Sequence, residues 1–158
     1  MTGEFLYRVV GESRLDAVQP LWQKLRAYHA RLPWRFAAEM HDSKFEPRKQ
    51  ELLAKAASGK LRIELVSKPL DMADVAYCIS TVSVDGRGEV DSLFVDEGFR
   101  NRGIGSELLR RAIAWLESAG ATSKLVTVAH GNEEALALYE RFGFYPRAIV
   151  LQQNRDAT

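Results

Sequence analysis

Apolar positions alternate along the chain between a period of two and a period near 3.6, which predicts strands and helices in turn. Strand-like runs occupy 5–10, 61–67, 74–84, 89–95, 124–129 and 148–153, and helical runs occupy 15–28, 46–60, 104–116 and 132–143. The order is strand, two helices, three strands, helix, strand, helix and strand. It favours an α+β domain whose sheet is antiparallel at first and gains one strand–helix–strand unit late in the chain.

Turn and cap residues sharpen three of these boundaries. Asp85-Gly86 predicts a tight hairpin between two strands. Asn132 is a favourable first residue for the last helix, and Gly143 is a favourable residue after its end. The run 124–129 is almost entirely apolar, which predicts a central strand covered on both faces.

Composition and charge exclude several classes of protein. The 158 residues suit a single domain, 1–158, with one core. A net charge of +1 provides no broad basic field for nucleic acid. The lone cysteine, Cys78, excludes an internal disulfide and a cysteine-based zinc site, and the three scattered histidines predict no metal site.

The apolar runs are short, so we expect no membrane-spanning segment and no membrane partner. The opening stretch MTGEFLYRVV has no basic region before a long apolar run and therefore does not resemble a signal peptide. Together with the single cysteine, this predicts a cytoplasmic protein.

One stretch, FVDEGFRNRGIGSELL at 94–109, differs in composition from the rest of the chain. Gly103 and Gly105 fall where a strand has ended and a helix begins. A helix start offers unpaired N–H groups and a positive dipole end, and glycines let an anion approach the backbone closely. Arg100 and Arg102 add charge that matches phosphate oxygens. This turn predicts a phosphate or pyrophosphate site, and an ordinary glycine-rich helix start is the alternative.

The glycine spacing excludes two common phosphate-binding loops. The Rossmann pattern G-x-G-x-x-G is absent, and Ile104-Gly105 stands where a Walker A loop needs Lys-Ser/Thr. The pattern that fits is R-x-x-G-x-G at 100–105, followed later by NEEALALYERFGFYP at 132–146. With both motifs in this order, the chain resembles the GNAT superfamily of acyl-CoA-dependent N-acyltransferases over 74–146.

The resemblance implies a three-layer fold: a mixed, mostly antiparallel, twisted sheet of about six to seven strands flanked by about four helices, with a splayed central strand pair. It also implies acetyl-CoA as co-substrate and no metal. Its pantetheine arm would pair with the backbone of Leu93, Phe94 and Val95 like an added strand, and an amide near Val95 would polarise the thioester carbonyl.

The same resemblance assigns further residues to the coenzyme. The pyrophosphate would meet the first turn of the helix, formed by Arg100, Asn101, Arg102, Gly103, Ile104, Gly105 and Ser106. For the two arginine side chains, a solvated loop face is the alternative. Asn132 aligns with an asparagine that contacts the coenzyme arm, and it can also act as a helix cap.

Proton transfer needs an acid and a base. The resemblance gives Tyr139 as the hydroxyl near the coenzyme sulfur, with simple packing in the helix stripe as the alternative. Glu89, eleven residues before Arg100, matches a catalytic glutamate of some members, and Asp91 is the second candidate. Alternation predicts that Glu89, Asp91, Leu93 and Val95 share one face of the strand. A charged strand end and a water relay remain alternatives to this base.

The acceptor is expected opposite the coenzyme, where Trp34, Arg35 and Phe36 can supply an aromatic wall and a charge. Packing of both rings onto the core is the alternative. Because short members often complete the sheet edge or pocket with a second copy, we expect a homodimer.

The resulting prediction is an N-acetyltransferase in which a small-molecule or peptide amine attacks acetyl-CoA directly within a ternary complex. The alternative is a non-catalytic acyl-CoA-binding sensor or regulatory module. Nucleic-acid binding through the arginine-rich turn is disfavoured, since no basic stripe accompanies it.

Overall fold

The computed structural model describes residues 5–155. The first four residues, on which the signal-peptide expectation partly rests, lie outside it. Within 5–155 the strands are β1 Leu6–Val10, β2 Gly59–Ser67, β3 Asp74–Ser83, β4 Arg87–Val95 and β5 Ser123–Val126. The α-helices are α1 Gln19–Ala30, α2 Phe45–Ser58, α3 Ile104–Ser118 and α4 Glu133–Glu140, and short 3₁₀ segments cover Glu12–Val18, Ala37–Met40 and Glu97–Phe99.

The five described strands form one sheet whose spatial order follows the chain, β1-β2-β3-β4-β5. The first four are antiparallel neighbours. The last pair, β4 and β5, is parallel and is joined by α3, so the late strand–helix–strand unit is confirmed. The mixed, mostly antiparallel sheet is confirmed too, with five strands in residues 5–155 rather than six or seven.

Helices cover both faces of the sheet and produce three layers. On one face α3 and α4 pack through Leu108, Leu116 and Tyr139. On the other, the first 3₁₀ segment, α1 and α2 pack through Leu15, Trp22 and Leu52, among others. Each face has its own buried core, as the stripe of apolar positions in each helix requires.

A bulge in β4 changes which side chains share a face. Ile79 pairs with Ser92 and Ser80 with Val90, so Asp91 is the extra residue between them. Beyond it, Leu93 and Val95 pack in the α3/α4 core, whereas Glu89 and Asp91 bond to Lys55 of α2 on the opposite face. The expectation that Glu89, Asp91, Leu93 and Val95 share one face is therefore wrong.

The β4–β5 pairing ends early, and this opens the sheet. The last paired residues are Val90 and Val126, so none of the strands in residues 5–155 lies beside 91–95 on the β5 side. This is the splayed pair that the resemblance implies. One detail differs: β5 pairs only with β4 among the described strands, so it is an edge strand rather than a central one.

The predicted last strand at 148–153 is absent: these residues form neither strand nor helix. The prediction is wrong because a strand needs a neighbour to bond with, and none of the described strands runs beside this segment. Its apolar side chains face solvent, with Ile149 84%, Val150 91% and Leu151 90% exposed.

Within residues 5–155, no helix is both long enough and apolar enough to cross a membrane.

Candidate functional site

The turn between β4 and α3 has an unusual backbone. Asn101 and Gly103 both adopt positive φ, at 63° and 81°, just before Ile104 begins the helix. Left-handed residues beside a helix start arrange backbone N–H groups into an anion-binding concavity. Glycine suits position 103 for two reasons. Without a Cβ it adopts positive φ easily, and the space where a Cβ would stand stays open, with no atom within 4 Å, for an anion to approach the backbone.

A cavity of about 620 Å³ opens at this turn, between the exposed end of β4, α1 and the facing side of α4. It collects residues that are far apart in the sequence. The residues expected at the coenzyme that line it are Leu93, Phe94, Val95, Arg100, Asn101, Gly103, Ile104, Gly105, Ser106 and Asn132, and Tyr139 lines it as well. The two motifs of the sequence therefore form the walls of one space.

The two arginines of the motif do different things. The Arg100 Nε donates to the Val95 carbonyl oxygen at 3.0 Å, and its guanidinium lies 4.6 Å from the ring centre of Tyr28. It also approaches Glu134 of α4 at 3.7 Å. Arg102 does not line the cavity, and its guanidinium lies over the Phe99 ring at 5.5 Å. Arg100 thus connects the end of β4 to Tyr28 of α1 and Glu134 of α4.

Helix α4 carries the two residues of the second motif. The Asn132 side-chain oxygen accepts from the Ala135 N–H at 3.2 Å, so the cap role is confirmed. About two turns further on, Tyr139 is almost completely buried, and its ring meets that of Phe144 edge-on at 5.9 Å. Burial raises the pKa of Tyr139, which keeps its hydroxyl protonated and able to donate a hydrogen bond.

The two candidate carboxylates lie on the other face of the sheet. The Lys55 Nζ is 2.5 Å from both Glu89 Oε2 and Asp91 Oδ1. Asp91 also accepts from the Thr81 hydroxyl at 2.6 Å, and its backbone carbonyl accepts from Arg48 at 2.7 Å. Glu89 lines a separate cavity of about 270 Å³ with Lys55 and Thr81.

Burial and hydrogen bonding shift the pKa values of this pair in opposite directions. Burial first, and then the hydrogen bond to Glu89, raise the pKa of Asp91 to about 6. For Glu89 burial acts upward, but hydrogen bonds with Asp91 and Lys55 outweigh it and lower the pKa. Because both carboxylates bond the same ammonium, they titrate as a coupled pair.

The expected acceptor residues lie on the loop after α1. The Trp34 indole donates to the His29 carbonyl oxygen at 2.8 Å, and its ring lies 6.0 Å from that of Phe36. The Arg35 carbonyl accepts from the Asn154 side chain at 3.3 Å. Trp34, Arg35 and Phe36 line neither cavity.

Several residues near these cavities could not be assigned to a site from the sequence. Tyr28 of α1 and Glu134 of α4 border the larger cavity, as does Arg141 just after α4. Lys55 reaches β4 from α2. Tyr28 lies on an apolar helical stripe and Arg141 lies inside the second motif, but their facing partners are set by tertiary packing. Within residues 5–155, no cluster of His, Cys, Asp or Glu is arranged to hold a metal ion.

Comparison with known proteins gives a family match and a fold match. Residues 34–144 match the model of the acetyltransferase (GNAT) family. An uncharacterized N-acetyltransferase of Methanocaldococcus jannaschii is 30% identical over 100 residues, which cover 63% of this chain and 44% of that protein. The chain thus spans less than half the length of this relative.

Two solved structures share the fold. An acetyl transferase from Pyrococcus furiosus has a TM-score of 0.69 at 23% identity and covers 94% of this chain and 99% of its own. An acetyltransferase of Clostridium acetobutylicum, solved with acetyl-CoA, has a TM-score of 0.67 at 12% identity and covers 95% and 96%.

Proposed function

The chain belongs to the acetyltransferase (GNAT) family, and on that premise we propose that it transfers an acetyl group from acetyl-CoA to a primary amine within a ternary complex. The observation that carries this proposal is the cavity of about 620 Å³, which joins the free end of β4, the turn before α3 and the side of α4. Those three elements supply what a long, anionic thioester needs: a strand edge, an anion site and a proton donor.

Binding of the donor follows from the backbone. Beyond Val90, β4 has no described partner strand on the β5 side, so Leu93 to Val95 can pair with the amide-containing pantetheine arm. The pyrophosphate would accept from the N–H groups of the first turn of α3, where the dipole also favours negative charge. Gly103 and Gly105 keep side chains from obstructing that approach.

The reaction is a direct acyl transfer. The amine nitrogen attacks the thioester carbonyl carbon, and a backbone amide near Val95 stabilises the charge that develops on oxygen. As the new C–N bond forms, the amine loses a proton. The C–S bond then breaks, and the Tyr139 hydroxyl protonates the leaving thiolate.

For the base we propose the Glu89–Asp91 pair. The pKa of Asp91 near 6 suits a group that must accept a proton close to neutral pH. The pair lies on the α1/α2 face, just before β4 and β5 diverge, so we propose that water carries the proton from the amine to it. Lys55 keeps the pair negatively charged overall and fixed in position.

A thiol-release assay with acetyl-CoA tests the function. The amine panel should include polyamines, amino acids, aminoglycosides, lysine peptides and peptides with free N-termini. With the best acceptor, Tyr139→Phe should lower kcat by 10²-fold or more, within the range of general acid catalysis. Tyr7→Phe is the matched control, because Tyr7 lies in β1 and does not line the cavity.

Coenzyme binding without thiol release across the whole panel would instead support the non-catalytic binding module. Unchanged turnover in Tyr139→Phe on a true acceptor would remove Tyr139 from the mechanism.

We also propose that the chain forms a homodimer through residues 145–153. This segment exposes three consecutive large apolar side chains, Ile149, Val150 and Leu151, to solvent. Contiguous apolar surface of this kind is typical of protein–protein interfaces. It is attached at both ends, by Phe144 against Tyr139 and by Asn154 to the Arg35 carbonyl. Two copies related by a two-fold axis would cover each other's segment with the same contacts. Because Asn154 bonds the Arg35 carbonyl, such an interface would lie beside Trp34, Arg35 and Phe36, which we propose as one wall of the acceptor site.

A further inference from the structure

Three arginines lie near the turn that receives the coenzyme phosphates, and their contacts distinguish them. The Arg100 side chain already has protein partners. Its Nε donates to the Val95 carbonyl, its guanidinium stacks over Tyr28, and Glu134 offsets part of its charge. Arg102 lies over Phe99 and outside the cavity lining. The motif arginines are therefore poorly placed to bind phosphate through their side chains.

The third arginine, Arg141, is in a different position. It follows the last residue of α4 and lines the cavity. Its Nη2 donates to the Ser106 hydroxyl at 3.1 Å, and Ser106 lies in the first turn of α3. Within the described part of the chain, this is the only side-chain bond of the Arg141 guanidinium, and no carboxylate pairs with it.

The backbone of Arg141 is well anchored, and its exposed side chain reaches α3. Asn132 caps α4 at its start, and the buried Tyr139 anchors the helix two residues before Arg141. The bond to Ser106 brings the guanidinium to the helix start, where the N–H groups of Ile104, Gly105 and Ser106 have no helical acceptor. A planar fork with five donors can bond one hydroxyl and two phosphate oxygens together.

We propose that Arg141 is the side-chain ligand of the coenzyme pyrophosphate. It closes the phosphate site from the α4 side, opposite the N–H groups of the α3 turn. The proposal rests on the proposed coenzyme binding. It assigns one further residue to the coenzyme, and it implies that the affinity gained from the two phosphates depends on the charge of Arg141.

The experiment compares Arg141 variants with the wild-type protein for CoA and for two shortened forms of CoA. Titration calorimetry measures the Kd of CoA, of dephospho-CoA, which keeps the pyrophosphate, and of pantetheine, which has no phosphate. Arg141→Gln should weaken CoA and dephospho-CoA alike, by about 10- to 100-fold for one charge-assisted bond, and leave pantetheine unchanged. Arg141→Lys should retain part of the affinity, as a point charge without the fork.

Arg110→Gln is the matched control. It removes the same charge from α3, where Arg110 pairs with Glu107 and lies outside the cavity lining, so its CoA affinity should equal that of the wild type. Thermal melts of each variant check that the fold is intact.

Each other outcome decides the question. Equal loss of CoA and pantetheine affinity in Arg141→Gln would mean a structural role and overturn the proposal. Loss confined to CoA, with dephospho-CoA unaffected, would place Arg141 at the 3′-phosphate and overturn the pyrophosphate assignment. If wild-type protein binds CoA no better than pantetheine, the phosphate site of the proposed function itself fails, whatever the variant does.

Discussion

The substitution Lys55→Met should destabilise the protein in a pH-dependent manner. Methionine keeps a long apolar side chain on α2 facing β4 but removes the ammonium that lies 2.5 Å from Glu89 and 2.5 Å from Asp91. The two carboxylates are then left facing each other beside the Thr81 hydroxyl. One of them must either take up a proton or remain charged without a partner.

The expected size follows from burial. Removing one partner of a buried ion pair costs about 3–5 kcal/mol. The Asp91 side chain is fully buried, but that of Lys55 is 35% exposed. Solvent screening at the lysine reduces the expected loss to about 1–3 kcal/mol. With a urea m-value of about 2 kcal/mol/M, the unfolding midpoint should fall by about 0.5–1.5 M.

The pH dependence has a definite sign. The pKa of Asp91 is about 6, above its ordinary value, so the folded state holds its proton more tightly than the unfolded state. For such a group, stability falls as pH rises through the folded pKa. Without the ammonium, the pKa of Asp91 should rise further. The deficit of Lys55→Met relative to the wild type should therefore be largest near pH 8 and smallest near pH 4.

Urea unfolding of both proteins at pH 4, 6 and 8 measures this. Lys60→Met serves as control, because the Lys60 Nζ bonds the Ala119 carbonyl at 3.3 Å and no carboxylate in the described part of the chain, and the loss of stability should be small at every pH. A deficit for Lys55→Met that is the same at pH 4 and pH 8, or no larger than that of Lys60→Met, would refute the ion-pair argument.

Three further substitutions test the coenzyme site and the dimer. Gly103→Asp should weaken CoA binding on the order of 100-fold, because it adds a negative charge at the phosphate site. Gly103→Asn tolerates the same positive φ without the charge and should bind far better; equal weakening would point to backbone strain instead. Asn132→Ala should lower stability by about 1 kcal/mol in urea unfolding, and Asn132→Ser should restore the cap. CoA binding should be measured for both variants. If it is weak in Asn132→Ala and stays weak in Asn132→Ser, the Asn132 amide contacts the coenzyme. If Asn132→Ser restores it, capping alone explains the effect of Asn132. Val150→Lys should convert a dimer to a monomer in light scattering, whereas Val84→Lys, in the turn after β3 where Val84 is 90% exposed, should not; a monomeric wild-type protein would contradict the proposed dimer.

Local chemistry explains why much of the fold could be predicted from the sequence. The Asp85-Gly86 turn forms between β3 and β4, with Gly86 at a φ of 88°. Asn132 caps α4, and α3 begins directly after Gly103. In each case the decisive residues are neighbours in the chain, so propensity and capping rules apply directly.

The rest depends on contacts between distant residues, which no local pattern encodes. Alternation placed Glu89 and Leu93 on one face, but a single extra residue at Asp91 separates them. The segment 148–153 has the composition of a strand, but in residues 5–155 no strand runs beside it. Lys55 finds its carboxylates across a distance of 34 and 36 residues in sequence. The same holds for Arg141 and Ser106, 35 residues apart.

The bulge at Asp91 also determines where the length of this chain can change. Deleting Asp91 itself would give β4 simple alternation, and Ser92 to Val95 would keep their β3 partners and their faces. Leu93 and Val95 would stay in the α3/α4 core, and the change would remove a carboxylate that bonds Lys55. A one-residue deletion elsewhere in β4 has no extra residue to absorb it and would turn the residues beyond it to the opposite face. By contrast, β1 lies at the far edge of the sheet, where a shift of one residue does not reach the cavity. Within β4, a loss of one residue should therefore be tolerated best at the bulge.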